Sequence, residues 1–358
     1  MLNIFNIKKI LKLWLNKVRG RSFSNHPRET LFIDPTGLCN LGCRFCAYPK
    51  VEKGFHMSLE LFKKVVKQAT DMNFSKVFVT PMLGEAFMDK TIKEKLMVLE
   101  NDDKITGYGF YTNFVLADVE FLMKLKKLKN LSISVYGLDP DEFHLVTTKK
   151  QSQFEMFKKN MVKLMKFHKE GNCNVPLHFS IRAKVNDEIL KMSKSDRVKK
   201  ILSGSNEVHE ILRYFSHSSR ISVATTTDTW LGEVSQKDVD ILGYKVEGAE
   251  SMLGPCNLIF GAVQIRFDGG VHACTRSVKN KLMIGNINEK PLSEILSYKR
   301  NSIYKNLIDD HTNNNFPEVC RGCAHYRSVY ENFERGHGSG NSLYAKQIKL
   351  IDSLKILN

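Results

Sequence analysis

The chain has 358 residues, enough to bury a large core and to form one to three domains. Its 42% hydrophobic and 26% charged residues are ordinary for a globular protein, and no uninterrupted apolar run is long enough to span a bilayer as a helix. The formal net charge of +16 comes largely from lysines in helical stretches such as 124–129 and 158–169, which read as solvated helix faces; no nucleic-acid motif accompanies them, so no nucleic-acid partner is expected.

Residues 1–27 form a first segment. Leu2, Ile4, Phe5, Ile7, Ile10, Leu11, Trp14, Leu15 and Val18 recur at near-helical spacing, with Lys8, Lys9, Lys12, Lys17 and Arg19 between them. This predicts a basic amphipathic helix over 1–19, which either makes a peripheral contact with an anionic membrane or packs on the protein's own body. Lysines interrupt the apolar stretch and no small-residue cleavage site follows, so it is not a secretory signal. A cytoplasmic location is expected, with the inner face of the membrane as the place for such a helix. Residues 19–28, with Gly20 and Pro27, read as a linker.

Residues 28–235 alternate short apolar runs with amphipathic helices. The predicted strands are 31–34, 76–80, 105–111, 131–136, 177–184 and 208–214. The predicted helices between them are 58–72, 90–100, 118–128, 153–169 and 191–202, the first capped by Ser58. Such alternation predicts right-handed βαβ units and a parallel sheet, hence an α/β fold. In barrels built this way the site lies at the C-terminal ends of the strands.

The loop after the first predicted strand carries Cys39-Asn40-Leu41-Gly42-Cys43-Arg44-Phe45-Cys46. Three thiolates at C-x3-C-x2-C spacing can hold three irons of a [4Fe–4S] cube and leave the fourth iron open. Structural zinc prefers four closed ligands in two pairs, and the nearest further candidate is His56. The run, with Phe45 before its last cysteine, resembles the signature of the radical S-adenosylmethionine (SAM) superfamily. That resemblance implies a partial (β/α)6 barrel, a SAM cofactor, and a cluster on Cys39, Cys43 and Cys46 that reduces SAM to a 5′-deoxyadenosyl radical. A flavodoxin- or ferredoxin-type reductant is the implied electron source.

Later loops carry weaker signals in the same order. Pro81-Met82-Leu83-Gly84-Glu85 resembles the superfamily's Gly-Gly-Glu turn, with Leu83 for the first glycine, and implies that Gly84 and Glu85 hold the SAM amine. Tyr111-Thr112-Asn113 resembles a Thr-Asn-Gly turn, with Phe114 for glycine, and implies a contact from Asn113. Ser132 and Ser134 resemble the serines that reach the SAM ribose, and Arg182 is the implied partner of its carboxylate. Phe45 completes the implied SAM contacts.

Residues 236–254 read as a second linker. In 255–328, Cys256 and Cys274 flank an expected β-hairpin with a turn at Asp268-Gly269-Gly270, and Cys320-Arg321-Gly322-Cys323 follows a helix expected near 292–307. Four thiols make a closed site. Hairpin plus C-x2-C is also a zinc-ribbon pattern. With Ile284-Gly285-Asn286-Ile287, the region resembles the twitch form of the SPASM domain, a small hairpin-plus-helix unit, and implies one auxiliary [4Fe–4S] cluster on Cys256, Cys274, Cys320 and Cys323. The whole looks most like the amino-cyclitol dehydrogenase type. Residues 329–358 read as a loop with Gly336, Gly338 and Gly340, then a helix.

Of eight cysteines, three and four are thus taken, leaving Cys173. It precedes the fifth predicted strand, at the far end from the site, so it is a poor hydrogen donor for epimerisation. This favours oxidation, most simply of a secondary alcohol in a sugar, cyclitol or glycan intermediate. Arg213, Tyr214 and Asp228, after or on the sixth predicted strand, are candidate catalytic residues, with Asp228 as a general base and Trp230 beside it. Alternatives are a sugar epimerase or a peptide-modifying maturase, the latter disfavoured by the fewer than thirty residues ahead of the barrel. A zinc-stabilised nucleic-acid-binding protein is the remaining reading, and seven structural cysteines suit it badly.

Overall fold

The computed structural model of the chain describes residues 30–80, 82–248, 252, 256, 258–261, 263–321 and 323–326. The helix expected over 1–19 and the C-terminal loop and helix expected over 329–358 lie outside the described residues.

Six strands run parallel in chain order: β1 (Thr30–Ile33), β2 (Lys76–Val79), β3 (Gly107–Thr112), β4 (Leu128–Tyr136), β5 (Leu177–Arg182) and β6 (Arg220–Val223). Each pairs with the next, and amphipathic helices cover the outer face. Leu31 and Ile33 of β1 are fully buried on one side, while Phe32 turns to the other and stacks on Phe78 with centroids 5.5 Å apart. The helix Leu59–Asp71 begins where expected, because Ser58 Oγ accepts a hydrogen bond from Leu61 N at 3.0 Å. It buries Phe62, Val65, Val66 and Ala69 on one face.

One predicted strand is a helix. Residues 208–214 belong to the helix Glu207–Phe215, and the sixth strand lies further on, at 220–223. Val208, Ile211, Leu212 and Phe215 recur at helical spacing and are all buried, and Asn206 caps the start by accepting from His209 N at 3.2 Å. The stretch reads as one of the short apolar runs; the spacing of its buried residues decides for helix. The helix expected over 118–128 is only Val119–Met123, and β4 starts three residues early, at Leu128. A helix at Pro140–Thr147 was not expected.

After a short two-strand pair, β7 (Thr226–Thr227) and β8 (Lys245–Val246), the hairpin appears as β9 (Val263–Ile265) and β10 (Gly270–His272), antiparallel, with β11 (Met283–Asn286) beyond it. Gly269, at φ +84°, makes the turn. The hairpin does not form a sheet of its own. β9 pairs parallel with β1, Leu31 opposite Val263, so one nine-stranded sheet runs β11-β10-β9-β1-β2-β3-β4-β5-β6. The order is linear, so the barrel is partial. The helix expected near 292–307 is two helices, Leu292–Ile295 and Ser302–Thr312. Among the described residues, no helix is long and apolar enough to cross a membrane.

Candidate active site

A cavity of about 350 Å³ opens at the C-terminal ends of β1 to β5. Cys39, Cys43 and Cys46 all line it. Backbone bonds fasten their loop on several sides. Glu85 N donates to Leu38 O at 2.8 Å, Gly42 N to Thr147 O at 3.1 Å and Arg44 N to Val146 O at 3.1 Å. Two amides point at sulfur: Leu41 N lies 3.5 Å from Cys39 Sγ and Tyr48 N 3.4 Å from Cys46 Sγ. Such donors favour thiolates and tune any cluster they hold. Burial acts the other way, pushing the Cys39 thiol up to about 12 and the Cys46 thiol up to about 11. A cation at the site is needed to hold these sulfurs ionised, which bound iron would supply.

The loops after β2 and β3 meet on this cavity. Glu85 is buried, and its carboxylate accepts from Thr112 Oγ1 at 2.7 Å, Asn113 N at 2.7 Å and Phe87 N at 3.3 Å. Burial outweighs these donors and raises the carboxyl to about 7. Asn113 Nδ2 donates to Asn40 Oδ1 at 2.7 Å, tying the β3 loop to the cysteine loop. Phe114, which stands where the resembling motif has glycine, adopts φ +62°, so the turn keeps its left-handed residue despite the side chain. Gly84, Ser134, Arg182 and Phe45 also line the cavity. The Arg182 guanidinium sits 4.5 Å over the Phe45 ring, and its buried Nη1 has no hydrogen-bond partner. Thr80 Oγ1, also on the cavity wall, is likewise buried and unpartnered. Orphaned donors at a cavity wall are what a missing polar ligand leaves behind. The residues present therefore fit SAM beside a three-thiolate cluster.

Three expected residues are elsewhere. Ser132 lies one inward step below Ser134, beneath the cavity, where its Oγ bonds Asn130 Oδ1 at 3.0 Å. Arg213 and Tyr214 fall on the outer helix Glu207–Phe215 because that stretch is not a strand. Arg213 Nη1 donates to Leu202 O at 2.6 Å and also to Gly204 O, while Tyr214 OH meets His168 Nδ1 at 2.8 Å. Both are structural ties that do not reach the cavity.

Asp228 lies beside the cavity. It lines a second recess of about 160 Å³ that shares Phe45, Arg182, Trp230 and Arg276 with the main cavity. Its Oδ1 accepts from Trp230 N at 2.5 Å, and its Oδ2 meets His325 Nε2 at 2.5 Å. Burial would raise its pKa, but His325 and Arg276 more than offset this and hold the carboxyl below its usual value. Trp230 Nε1 donates to Phe45 O at 2.9 Å, which closes the turn onto the cysteine loop.

The second cysteine set also converges. Cys256, Cys320 and Cys323 all bear electrostatically on Cys274, and Arg276 N points at Cys274 Sγ from 3.4 Å. Four buried or half-buried thiols suit an iron–sulfur cube.

Some lining residues had no sequence signal. Gln264 of β9 reaches the cavity, and its Nε2 donates to Asp34 Oδ1, which also accepts from Met82 N at 3.0 Å. Asp34 thus joins the β2 loop to the hairpin. Only the pairing of β1 with β9 brings these groups together. Arg276 and Thr275 reach the same wall from the loop after Cys274.

Residues 33–179 match the radical SAM superfamily, and residues 256–324 match the SPASM iron–sulfur cluster-binding domain. No curated protein matches the chain significantly. Among solved structures, BtrN in complex with AdoMet and 2-DOIA superimposes with a TM-score of 0.50 at 12% identity, covering 83% of this chain and 93% of that one. SuiB of Streptococcus suis bound to precursor peptide SuiA gives 0.48 at 15% identity, covering 94% and 80%. Native anSMEcpe with bound AdoMet gives 0.44 at 19% identity, covering 82% and 89%. The likeness to BtrN is one of fold.

Proposed function

As a radical SAM enzyme with a SPASM iron–sulfur domain, the chain takes SAM and iron–sulfur clusters as cofactors, and we propose that it is an oxidoreductase with two [4Fe–4S] clusters. It abstracts hydrogen from an unactivated C–H bond and oxidises the substrate radical. The target is a secondary alcohol carbon of a sugar, cyclitol or glycan intermediate. When bound, SAM and its cluster supply a 5′-deoxyadenosyl radical, and the auxiliary cluster supplies an electron acceptor.

The observation that carries this reading is the shared wall. One cavity is bounded on one side by Cys39, Cys43 and Cys46 and on another by Thr275 and Arg276, which directly follow Cys274. The hairpin sheet is continuous with the barrel sheet, which fixes that approach. The remaining thiol, Cys173, precedes β5 and so lies at the opposite end of the strand from the cavity. A hydrogen-donating thiol is therefore lacking where an epimerase would need one.

The chain's own groups have distinct tasks in this account. Glu85, once ionised, faces the SAM ammonium, with Gly84 allowing close approach and Asn113 fixing the loop. Ser134 offers a hydroxyl toward the ribose. Arg182 offers its unpaired Nη1 to a carboxylate. Phe45 and Trp230 wall off water. Asp228, held ionised by His325 and Arg276, accepts the alcohol proton as the carbonyl forms. A flavodoxin- or ferredoxin-type protein supplies the electron.

The test is anaerobic turnover of reconstituted enzyme with SAM, reductant and a panel of cyclitols and sugars. A product two hydrogens lighter than its substrate, formed with equimolar 5′-deoxyadenosine, is the expected result. A product of unchanged mass that takes up solvent deuterium at one carbon would assign epimerisation instead.

A further inference from the structure

Resting on that reading of the site, we infer that the substrate carries an anionic group, a phosphate or a carboxylate, seated in the recess beside Arg276 and Arg182. The recess adjoins the main cavity, and its far wall is Ala324 and His325, immediately after Cys323. A group bound there lies between the two cysteine sets.

The hydrogen-bonding account of this recess is unbalanced. Its acceptor Asp228 already takes one donor on each oxygen, Trp230 N and His325 Nε2, and keeps a lone pair for the substrate hydroxyl. Its donors are unspent. Arg182 Nη1 is buried and unpartnered. Among the described residues, the Arg276 guanidinium makes no side-chain hydrogen bond. Its nearest carboxylate oxygen, Asp228 Oδ2, stands 3.8 Å from Nη1, an ion pair beyond bonding distance. Arg276 instead lies over Trp230, its Cζ 5.0 Å from the ring centroid, a contact that uses none of its N–H donors.

Trp230 and Leu231 support that platform at φ +49° and +56°, a conformation that non-glycine residues adopt at a cost. The Arg276 fork, with unspent donors on the recess, suits an acceptor-rich, doubly bonded ligand. A phosphate or carboxylate meets that geometry better than a lone hydroxyl. Glu247, the other carboxylate at the recess, is exposed at its rim, where solvent screens its repulsion. If the SAM carboxylate occupies Arg182, Arg276 keeps its donors for the substrate, so Arg276 is the residue to change.

The experiment is calorimetric binding to the SAM-saturated, cluster-loaded enzyme at fixed ionic strength. The probes are a hexose phosphate, a hexuronate and a neutral hexose. We expect saturable binding of at least one anionic probe, well above that of the neutral hexose. Arg276→Gln should weaken it about tenfold or more, and Arg276→Lys less, because a point charge replaces only part of the fork. Iron content should stay at wild-type values in both variants, and binding is compared with SAM saturating in each. Preference for the phosphate or for the uronate names the group. Absence of saturable anion binding, equal binding by Arg276→Gln, or equal binding of the neutral hexose would overturn the inference. None of the probes needs to be turned over, so such a failure leaves the oxidation reading standing, and failure of oxidation leaves this result readable.

Discussion

Glu85 sits 2% exposed against three donors, and burial still raises its carboxyl to about 7. Asp34, equally buried, is raised to about 8. A carboxyl raised on folding favours the folded state when protonated. That contribution is full below the unfolded value near 4 and is lost as pH climbs through 7 and 8. Without SAM, Glu85→Gln should therefore gain on wild type between pH 5 and pH 8, by about 2 kcal/mol in relative unfolding free energy. Chemical denaturation at the two pH values measures it. SAM brings an ammonium to the same carboxylate, so wild-type SAM affinity should tighten as pH rises toward 7 and then level. Glu85→Gln should weaken SAM binding about 10- to 100-fold and flatten that profile, read by equilibrium dialysis. Glu85, Asn113 and the cysteines were legible in the sequence because short spacings carry them on single loops. Asp34 and Gln264 were not, since their contact joins positions 230 residues apart.

Among the elements, the helix Glu207–Phe215 shows how a local pattern can mislead. Val208 to Tyr214 is a short run holding Val208, Ile211 and Tyr214, which favour strands, yet its apolar positions recur every three to four residues and Asn206 caps it. Arg213 then becomes a tie to the end of the preceding helix through Leu202 O. Arg213→Ala should cost about 1–3 kcal/mol of stability and leave SAM affinity and iron content unchanged; a loss of SAM binding at full stability would restore it to the site. The hairpin's seat on the cysteine loop depends on two glycines. A Cβ at Gly54 would meet the Phe267 ring at 2.2 Å, and one at Gly37 would meet it at 2.3 Å. Gly54→Ala should lower stability by about 1–3 kcal/mol. Because Phe267 follows Arg266 on the hairpin loop beyond β9, it should also weaken SAM binding, measured alongside thermal unfolding. Neither glycine stood out in the sequence, because close approach is a tertiary fact.

Among the described residues, one nine-stranded sheet carries both the cavity lined by Cys39, Cys43 and Cys46 and the hairpin whose following residues, Thr275 and Arg276, reach its wall. The sequence order predicted six parallel strands and a hairpin, and five of those strands and the hairpin fall at the expected places. What it did not predict is their continuity: β9 lies beside β1, so the barrel and the hairpin share a sheet and Gln264 and Arg276 complete the cavity wall. The central claim is that both cysteine sets hold iron and that SAM binds at only one of them. Anaerobic reconstitution followed by iron counting, with EPR or Mössbauer spectra taken with and without SAM, tests it most directly. About eight irons per chain are predicted, falling to about four in a Cys39→Ala, Cys43→Ala, Cys46→Ala triple variant, with SAM perturbing one of two spectral components in the wild type alone. Four irons with a zinc in the wild type, or two components both indifferent to SAM, would contradict it.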